Sequence, residues 1–161
     1  MAKEEKTNVM RLLDQKKTAY TPHRYEAPNG AVDGVSVAAA TGQDVSRVFK
    51  TLVTRGASKK NYVFVVPVAM ELDLKAAAKA AGEKSIEMIR QAELLPLTGY
   101  VHGGCSPLGM KKQFPTFIDA SAQEQETILV SAGKIGAQVE LDPQDLAKLA
   151  RARFAPVAKE P

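Results

Sequence analysis

The stretch "KTLVTRGASKKNYVFVVPV", residues 50–68, decides the fold of this chain. Two runs rich in valine, threonine and aromatic residues flank the turn-forming segment Gly56–Lys60. This arrangement is typical of an antiparallel β-hairpin, because β-branched and aromatic side chains favour strands and glycine permits a tight turn. The apolar run "YVFVVPVAM" is too short to cross a bilayer, so we expect the hairpin to lie in the core of a folded domain.

Further strands and helices alternate on both sides of this hairpin. Strands that adjoin in hairpins, with helices placed singly between them, favour an α+β fold over a doubly wound one. We therefore expect a mostly antiparallel, mixed and barrel-like sheet core flanked by helices. The predicted helices cover residues 7–17, 36–42, 73–82, 89–95 and 142–150, and the predicted strands cover residues 19–26, 85–88, 116–119, 127–132 and 137–141, with one more short strand in the tail 151–161.

Particular residues predict where several of these elements begin and end. Pro22 has no amide hydrogen, which confines its strand to a sheet edge or a bulge. Pro96 is expected to stop the helix over residues 89–95 for the same reason. Ser36 is predicted to cap the helix that Gly42 ends. The other predicted helix caps are Thr7, Asp73 and Asp142, and Asp44 is predicted to open the turn "DVSRVF".

Length and composition predict an ordinary globular protein of one domain, residues 1–161, with frayed termini. The chain has 161 residues, of which 45% are hydrophobic and 25% charged. The N-terminus "MAKEEKTNVM" lacks the apolar stretch of a signal peptide, which predicts a cytoplasmic protein with no membrane partner. A single cysteine excludes an internal disulfide and provides no metal-binding cluster, so we expect no metal and no cofactor.

The positive charges are unevenly distributed along the chain. The formal net charge is +4, and four windows contain basic residues but no Asp or Glu. These windows are Gln15–Tyr25, Val45–Met70, Leu94–Ile118 and Thr127–Val139. Two interpretations stay open: the windows are solvated faces that arose by chance, or they converge on a surface that binds phosphate groups.

Lys50 is the first candidate functional residue, because it interrupts the apolar run "VFKTLV" where a turn passes into a strand. One interpretation is an edge-strand lysine whose hydrocarbon stem packs while its ammonium reaches water. The other is a half-buried cation that meets a phosphate or a developing oxyanion.

The second candidate is the loop "HGGCSPLGMKK", residues 102–112. Gly103 and Gly104 permit positive φ angles and a close approach to a ligand, and such a loop can direct consecutive N–H groups at an anion. The loop is not a Walker motif, because the lysines are not followed by Ser or Thr. It could equally be a tight connection between strands.

Two smaller features could also line a pocket. "SAGKIG" begins with Ser131 and continues as a small-residue turn through Gly133, although a plain hairpin turn has the same pattern. Tyr25 in "HRYE" offers a ring for stacking on a base, although half-exposed tyrosines are common in strands.

Cys105 lies in the glycine loop, three residues after His102. A nucleophilic cysteine needs a lowered pKa and usually a nearby base, and proximity in a loop sequence does not establish that geometry. We interpret Cys105 as an inert small hydrophobic residue. Neither His23 nor His102 is assigned a catalytic role.

Five segments together, in this order, closely resemble the YbaK/EbsC family of bacterial aminoacyl-tRNA deacylases. The segments are "VFKTLV", "VPVAMELDLKAAAKAAG", "TGYVHGGCSPLGMKK", "FPTFIDASA" and "ILVSAGKIGAQVEL". The resemblance runs from about Arg11 to Val157. It implies the fold of the editing domain that is inserted in bacterial prolyl-tRNA synthetases. It also implies a trans-editing activity that removes cysteine from Cys-tRNA(Pro) and Cys-tRNA(Cys).

The resemblance also implies partners and a set of site residues. The partners are aminoacylated tRNA, bound at its 3′-terminal adenosine, and a prolyl- or cysteinyl-tRNA synthetase. The essential lysine of the family falls on Lys50. The remaining implied substrate-binding residues are Tyr25, Thr51, Gly103, Gly104, Ser106, Pro107, Gly109, Ser131 and Gly133.

Three positions depart from the family pattern. Cys105 stands where relatives can carry an aliphatic residue, so its thiol is not the nucleophile of the family. Ala132 stands where the motif often has glycine. Gln138 occupies a position at which well-known members carry aspartate, and no role is carried over to it.

The expected nucleophile is not the Cys105 thiol. It is the thiol of the substrate's own cysteine, which lies close to the ester carbonyl.

Three other functions remain open on the sequence. An Ala-tRNA(Pro) deacylase would share the fold but would need a ribose hydroxyl or water as the nucleophile. A non-catalytic tRNA-binding or regulatory module would keep the pocket without turnover. A thiol-dependent hydrolase would use Cys105 and His102, and it would be inactivated by iodoacetamide.

Overall fold

A computed structural model describes residues 6–30 and 32–161 of the chain, so the start of the predicted frayed N-terminus lies outside the described residues. Its five α-helices have eight residues each: Asn8–Gln15 (α1), Gly34–Thr41 (α2), Leu74–Ala81 (α3), Gln91–Thr98 (α4) and Pro143–Ala150 (α5). Within the described part of the chain, no helix is long and apolar enough to span a membrane.

In the described part of the chain, ten strands form three sheets. The strands are Thr21–Arg24 (β1), Phe49–Gly56 (β2), Asn61–Pro67 (β3), Glu71–Leu72 (β4), Ile86–Met88 (β5), Thr116–Asp119 (β6), Ile128–Lys134 (β7), Ala137–Leu141 (β8), Ala152–Ala155 (β9) and Ala158–Lys159 (β10). The sheets have the strand orders β5-β2-β3-β6-β9, β1-β8-β7 and β10-β4. All neighbouring strands are antiparallel except β3–β6 and β6–β9. The predicted α+β fold with a mostly antiparallel mixed sheet is therefore confirmed, and its strands form open sheets instead of a closed barrel.

The predicted hairpin is the centre of the largest sheet. β2 and β3 pair in register from Phe49 opposite Pro67 to Arg55 opposite Asn61. The turn between them is closed by the Gly56 amide, which donates to the Lys60 carbonyl at 2.8 Å. This pairing places Lys50 at the start of β2. The start of β2 lies beside the three-stranded sheet β1-β8-β7, here called the smaller sheet, because Val48 forms a parallel bridge with Leu129 of β7.

The smaller sheet has one face in the core, where it packs with Phe49 of β2 and with two helices. Val130 and Val139 are fully buried against α1 and α5, where Leu13 and Leu146 are also 0% exposed. Successive side chains of a strand point to opposite faces, so Gln138, next to Val139, lies on the other face. This alternation separates the core from polar residues such as Ser131 and Gln138.

Two predicted helix boundaries were wrong. The N-cap of α2 is Asp33, not Ser36: an Asp33 carboxylate oxygen accepts a hydrogen bond from the Ser36 amide at 2.9 Å. Pro96 lies inside α4 and does not stop it. The helix continues because the Thr98 hydroxyl donates to the Leu94 carbonyl at 2.7 Å and the Gly99 amide donates to Leu95, which satisfies the last turn. The tail forms two short strands where one was predicted.

Candidate active site

A cavity of about 330 Å³ lies between the start of β2, the start of α2, the smaller sheet and the loop after α4. Its apolar walls include Phe49, Leu52 and Leu94. Its polar walls come from separate parts of the chain and include Tyr25, Lys50, Thr51, Gly103, Ser131 and Gln138. The structure therefore brings together five of the residues that the sequence singled out and adds Gln138, to which no role was assigned.

Lys50 contributes an ammonium whose charge has no close partner. It is half-buried, and no other described residue forms an ion pair or hydrogen bond with its side chain. Removal from water lowers the pKa of Lys50, and the negative charge of Glu71 partly opposes that effect. A cation held at a cavity wall in this way favours an anionic group in the cavity.

Thr51 and Gln138 each hold a buried side-chain oxygen without a partner. Within residues 6–30 and 32–161, neither Thr51 Oγ1 nor Gln138 Oε1 has a hydrogen-bond partner. Gln138 is only 6% exposed. An unpaired buried polar group costs about 1–3 kcal/mol, and such costs are typical of functional sites. The weak signal in the sequence was a polar residue in the buried run "AQVEL", between two core positions.

Tyr25 and Ser131 reach the cavity from the two outer strands of the smaller sheet. The Tyr25 amide, just beyond β1, donates to the Gly136 carbonyl at 3.0 Å. Ser131 in β7 lies directly opposite Gln138 in β8. The Ser131 hydroxyl oxygen accepts a hydrogen bond from the Gly133 amide at 3.1 Å, next to a register shift in the strand pair. These contacts hold both side chains beside the cavity.

Gly103 is the residue of the glycine loop that combines a cavity position with a positive φ angle, +86°. No acceptor within the described chain takes up its amide hydrogen. The Gly104 amide instead donates to the Val101 carbonyl at 2.9 Å. A Cβ at Gly104 would lie 3.0 Å from the Ile135 amide nitrogen, so this glycine permits close packing of the loop on the β7–β8 turn.

The other predicted site residues do not line the cavity: Gly104, Ser106, Pro107 and Gly109 of the loop, and Gly133 of β7. Close contact with Tyr100 explains why glycine is needed at positions 109 and 133. A Cβ at Gly109 would lie 2.8 Å from the Tyr100 hydroxyl, and one at Gly133 would lie 3.0 Å from its ring. The Tyr100 hydroxyl donates to the Leu108 carbonyl at 2.5 Å, and burial raises the pKa of Tyr100 to about 12. Sequence reasoning missed Tyr100, which holds the loop closed against β7.

Cys105 and His102 both line the cavity, but they do not form a hydrogen-bonded pair within the described chain. Cys105 is 8% exposed. Burial raises the pKa of the Cys105 thiol to about 12, so almost none of it is thiolate at neutral pH. No group of three or more His, Cys, Asp or Glu side chains that could hold a metal ion occurs among residues 6–30 and 32–161.

Two arginines in the basic windows already have acidic partners. Arg47 pairs with Glu140 at 2.5 Å, and Arg55 pairs with Glu93 at 2.7 Å. These guanidinium groups are therefore partly neutralised by the protein. Lys50, inside the same window, keeps its charge available to a ligand.

Known proteins show the same combination of sequence and fold. The aminoacyl-tRNA editing domain family matches residues 29–149. A protein of Enterococcus faecalis called "Putative Cys-tRNA(Pro)/Cys-tRNA(Cys) deacylase EbsC" is 44% identical over 154 residues, which are 96% of this chain and 94% of that protein. YwhH of Bacillus subtilis, an uncharacterised protein, is 26% identical over 77% of both chains.

Solved structures agree on the fold. One described as a "putative trans-editing enzyme for prolyl tRNA synthetase" has a TM-score of 0.79 at 23% identity and covers 94% of each chain. Hypothetical protein APE2540 has a TM-score of 0.84 at 22% identity, covering 94% of this chain and 99% of that one. The family match over most of the chain and the 44% identical relative agree with the fold, and the chain belongs to the aminoacyl-tRNA editing domain family.

Proposed function

We propose that this protein is a trans-editing deacylase that removes cysteine from Cys-tRNA(Pro) and Cys-tRNA(Cys). The observation that supports it most is that Lys50 and Gly103 line one cavity of about 330 Å³. Among residues 6–30 and 32–161, the Lys50 ammonium has no ionic partner and the Gly103 amide has no acceptor. The two groups suit an ester of a tRNA 3′ end, which carries a phosphate nearby and develops an oxyanion on cleavage. The family and the name of the 44% identical relative agree with this substrate.

The proposed nucleophile is the sulfur of the substrate's cysteine. An ordinary cysteine thiol has a pKa of about 8.5, so a few per cent is thiolate at neutral pH. The thiolate attacks its own ester carbonyl, a C–S bond forms, and the C–O bond to the 3′ oxygen of adenosine breaks. The leaving oxygen takes up a proton to become the 3′ hydroxyl, and water hydrolyses the four-membered thiolactone to free cysteine.

The protein contributes position and electrostatic stabilisation to this reaction. The Gly103 amide stabilises the developing oxyanion, and one such donor contributes about 3 kcal/mol. Lys50 holds the terminal phosphate or assists the oxyanion, and Tyr25 supports the base or ribose. Thr51, Ser131 and Gln138 provide polar walls for the aminoacyl group. Gly104, Ser106, Pro107, Gly109 and Gly133 act indirectly, because they shape the loop that presents Gly103.

The proposed partners follow from the substrate. Aminoacylated tRNA binds through its 3′-terminal adenosine, and a prolyl- or cysteinyl-tRNA synthetase can hand over the cysteinyl-tRNA. Charged tRNA is a cytoplasmic molecule, so we place the protein there. The modest net charge of +4 indicates a small phosphate footprint, with little recognition of the tRNA body.

A panel of charged tRNAs tests the proposed function. We expect the protein to release cysteine from Cys-tRNA(Pro) and Cys-tRNA(Cys) and to leave Pro-tRNA(Pro) and Ser-tRNA intact, because proline has no side-chain nucleophile and a hydroxyl is far less acidic than a thiol. The measurement is the rate at which radiolabelled amino acid is released. Hydrolysis of Ala-tRNA(Pro) in place of Cys-tRNA would contradict the substrate and favour an alanine-specific editing enzyme.

Replacing Cys105 by serine is expected to leave the rate of Cys-tRNA deacylation within about twofold of wild type, because a thiol with a pKa of about 12 contributes no nucleophile at neutral pH. Iodoacetamide at pH 7.5 is likewise expected to leave the activity intact, since only thiolates are alkylated at a useful rate. Both are measured with the same release assay. A Cys105→Ser variant that folds but is inactive would overturn the mechanism and favour a thiol-dependent hydrolase.

A further inference from the structure

A polar network outside the catalytic groups joins the two sheets that carry them. At its centre is Glu140 in β8, whose carboxylate accepts three side-chain contacts: from His23 Nε2 at 2.8 Å, from the Arg47 guanidinium at 2.5 Å and from the Thr127 hydroxyl at 2.6 Å. Arg47 also donates to both oxygens of Thr127. No residue of this network serves the proposed chemistry directly.

Two of the residues that contact Glu140 lie in the sequence just before residues of the candidate site. His23 lies in β1, two residues before Tyr25, and Arg47 lies three residues before Lys50. Glu140 itself is two residues from Gln138, on the same face of β8. One carboxylate therefore connects the chain segments that supply three walls of the cavity.

The segment that carries Tyr25 lies at the edge of its sheet. β1 has only four residues, and among the described strands it pairs with β8 alone. Every residue of β1 except His23 is largely exposed. The His23–Glu140 contact is thus a side-chain anchor for a short edge strand.

The side chains of this network are partly shielded from solvent. The side chains of His23, Arg47 and Glu140 are 21%, 30% and 20% exposed. Hydrogen bonds to an ionised carboxylate are stronger than neutral ones, and partial burial limits their screening by salt. The Thr127 hydroxyl, and then His23 and Arg47, lower the pKa of Glu140, so these contacts favour the ionised carboxylate.

We propose that Glu140 is a positioning residue for the deacylation reaction: it fixes β1 and the start of β2 against β8, and so sets the distance between Tyr25 and Lys50 across the cavity. The inference rests on the proposed function for its catalytic consequence. Its structural part, the anchoring of Tyr25, stands independently of the substrate.

The test compares Glu140→Gln with Glu83→Gln. Glu83 is a matched control, because its carboxylate also accepts three hydrogen bonds, from the Ser58 amide at 3.1 Å, the Ser58 hydroxyl at 2.5 Å and the Tyr62 hydroxyl at 2.6 Å. It lies at the turn end of the β2–β3 hairpin, whereas Lys50 lies at the opposite end of β2. Each variant is assayed for its unfolding midpoint, for hydrogen exchange of the Tyr25 amide by NMR, and for kcat/KM on Cys-tRNA(Pro).

We expect Glu140→Gln to accelerate exchange of the Tyr25 amide and to lower kcat/KM by about tenfold, since small displacements of positioned groups are costly in catalysis. Glu83→Gln should lower the unfolding midpoint comparably and change neither the Tyr25 amide exchange nor kcat/KM. An unchanged Tyr25 exchange or an unchanged kcat/KM in Glu140→Gln, or equal losses in Glu83→Gln, overturns the proposal. A wild-type protein that does not cleave Cys-tRNA refutes the proposed function, and the amide exchange then still decides whether Glu140 anchors Tyr25.

Discussion

Replacing Lys50 by methionine is expected to lower kcat/KM for Cys-tRNA(Pro) by about 10²–10³, a loss comparable to that of one oxyanion-stabilising group. Methionine keeps the apolar stem and removes the charge. Lys50 has no ion pair within the described chain and its charge is disfavoured by burial, so the free energy of unfolding should stay the same or rise. Deacylation kinetics and thermal unfolding of the same preparation measure both quantities.

The same experiment separates the two roles proposed for Lys50. A rise in KM with constant kcat indicates that the ammonium binds a phosphate of the tRNA end, whereas a fall in kcat indicates that it acts on the oxyanion. Lys79→Met, on the exposed surface of α3, is the control for loss of one positive charge. An active Lys50→Met variant, or an equal loss in Lys79→Met, would contradict a catalytic role for Lys50.

A tRNA charged with S-methylcysteine is expected to react at least about a thousandfold more slowly than Cys-tRNA(Pro). Methylation removes the thiol and adds one carbon. Intramolecular attack can contribute roughly 7–11 kcal/mol in favourable cases, and a thousandfold loss corresponds to about 4 kcal/mol. The expected loss therefore leaves room for the strain of the four-membered thiolactone.

Binding of the methylated substrate must be checked separately. Inhibition of Cys-tRNA(Pro) cleavage by S-methylcysteinyl-tRNA shows whether it still enters the cavity. If the methylated ester binds and is cleaved as fast as the natural one, the substrate's sulfur is not the nucleophile. Water or a ribose hydroxyl would then be the attacking group, and Lys50 and Gly103 would keep their electrostatic roles.

Much of the fold follows from local sequence. The β2–β3 hairpin and the helices capped by Asp73 and Asp142 were all predicted correctly, because turn and cap residues act on neighbours within a few positions. The two wrong helix boundaries concern residues whose effect depends on which neighbouring group forms the hydrogen bond at the helix end. Asp33 takes the cap position from Ser36, and the Thr98 hydroxyl and the Gly99 amide complete the helix that Pro96 was expected to end.

Sequence alone determined the α+β class, the order of the elements, the family resemblance and a list that includes Tyr25, Lys50 and Gly103. It could not show which listed residues meet, because contact in space depends on pairings between distant segments. Glu140 and His23 are 117 positions apart, and the buried oxygen of Gln138 is notable only once its surroundings are known. Only the tertiary structure placed Gln138 at the cavity, moved Gly109 and Gly133 to the packing surface of Tyr100, and joined the two sheets through Glu140.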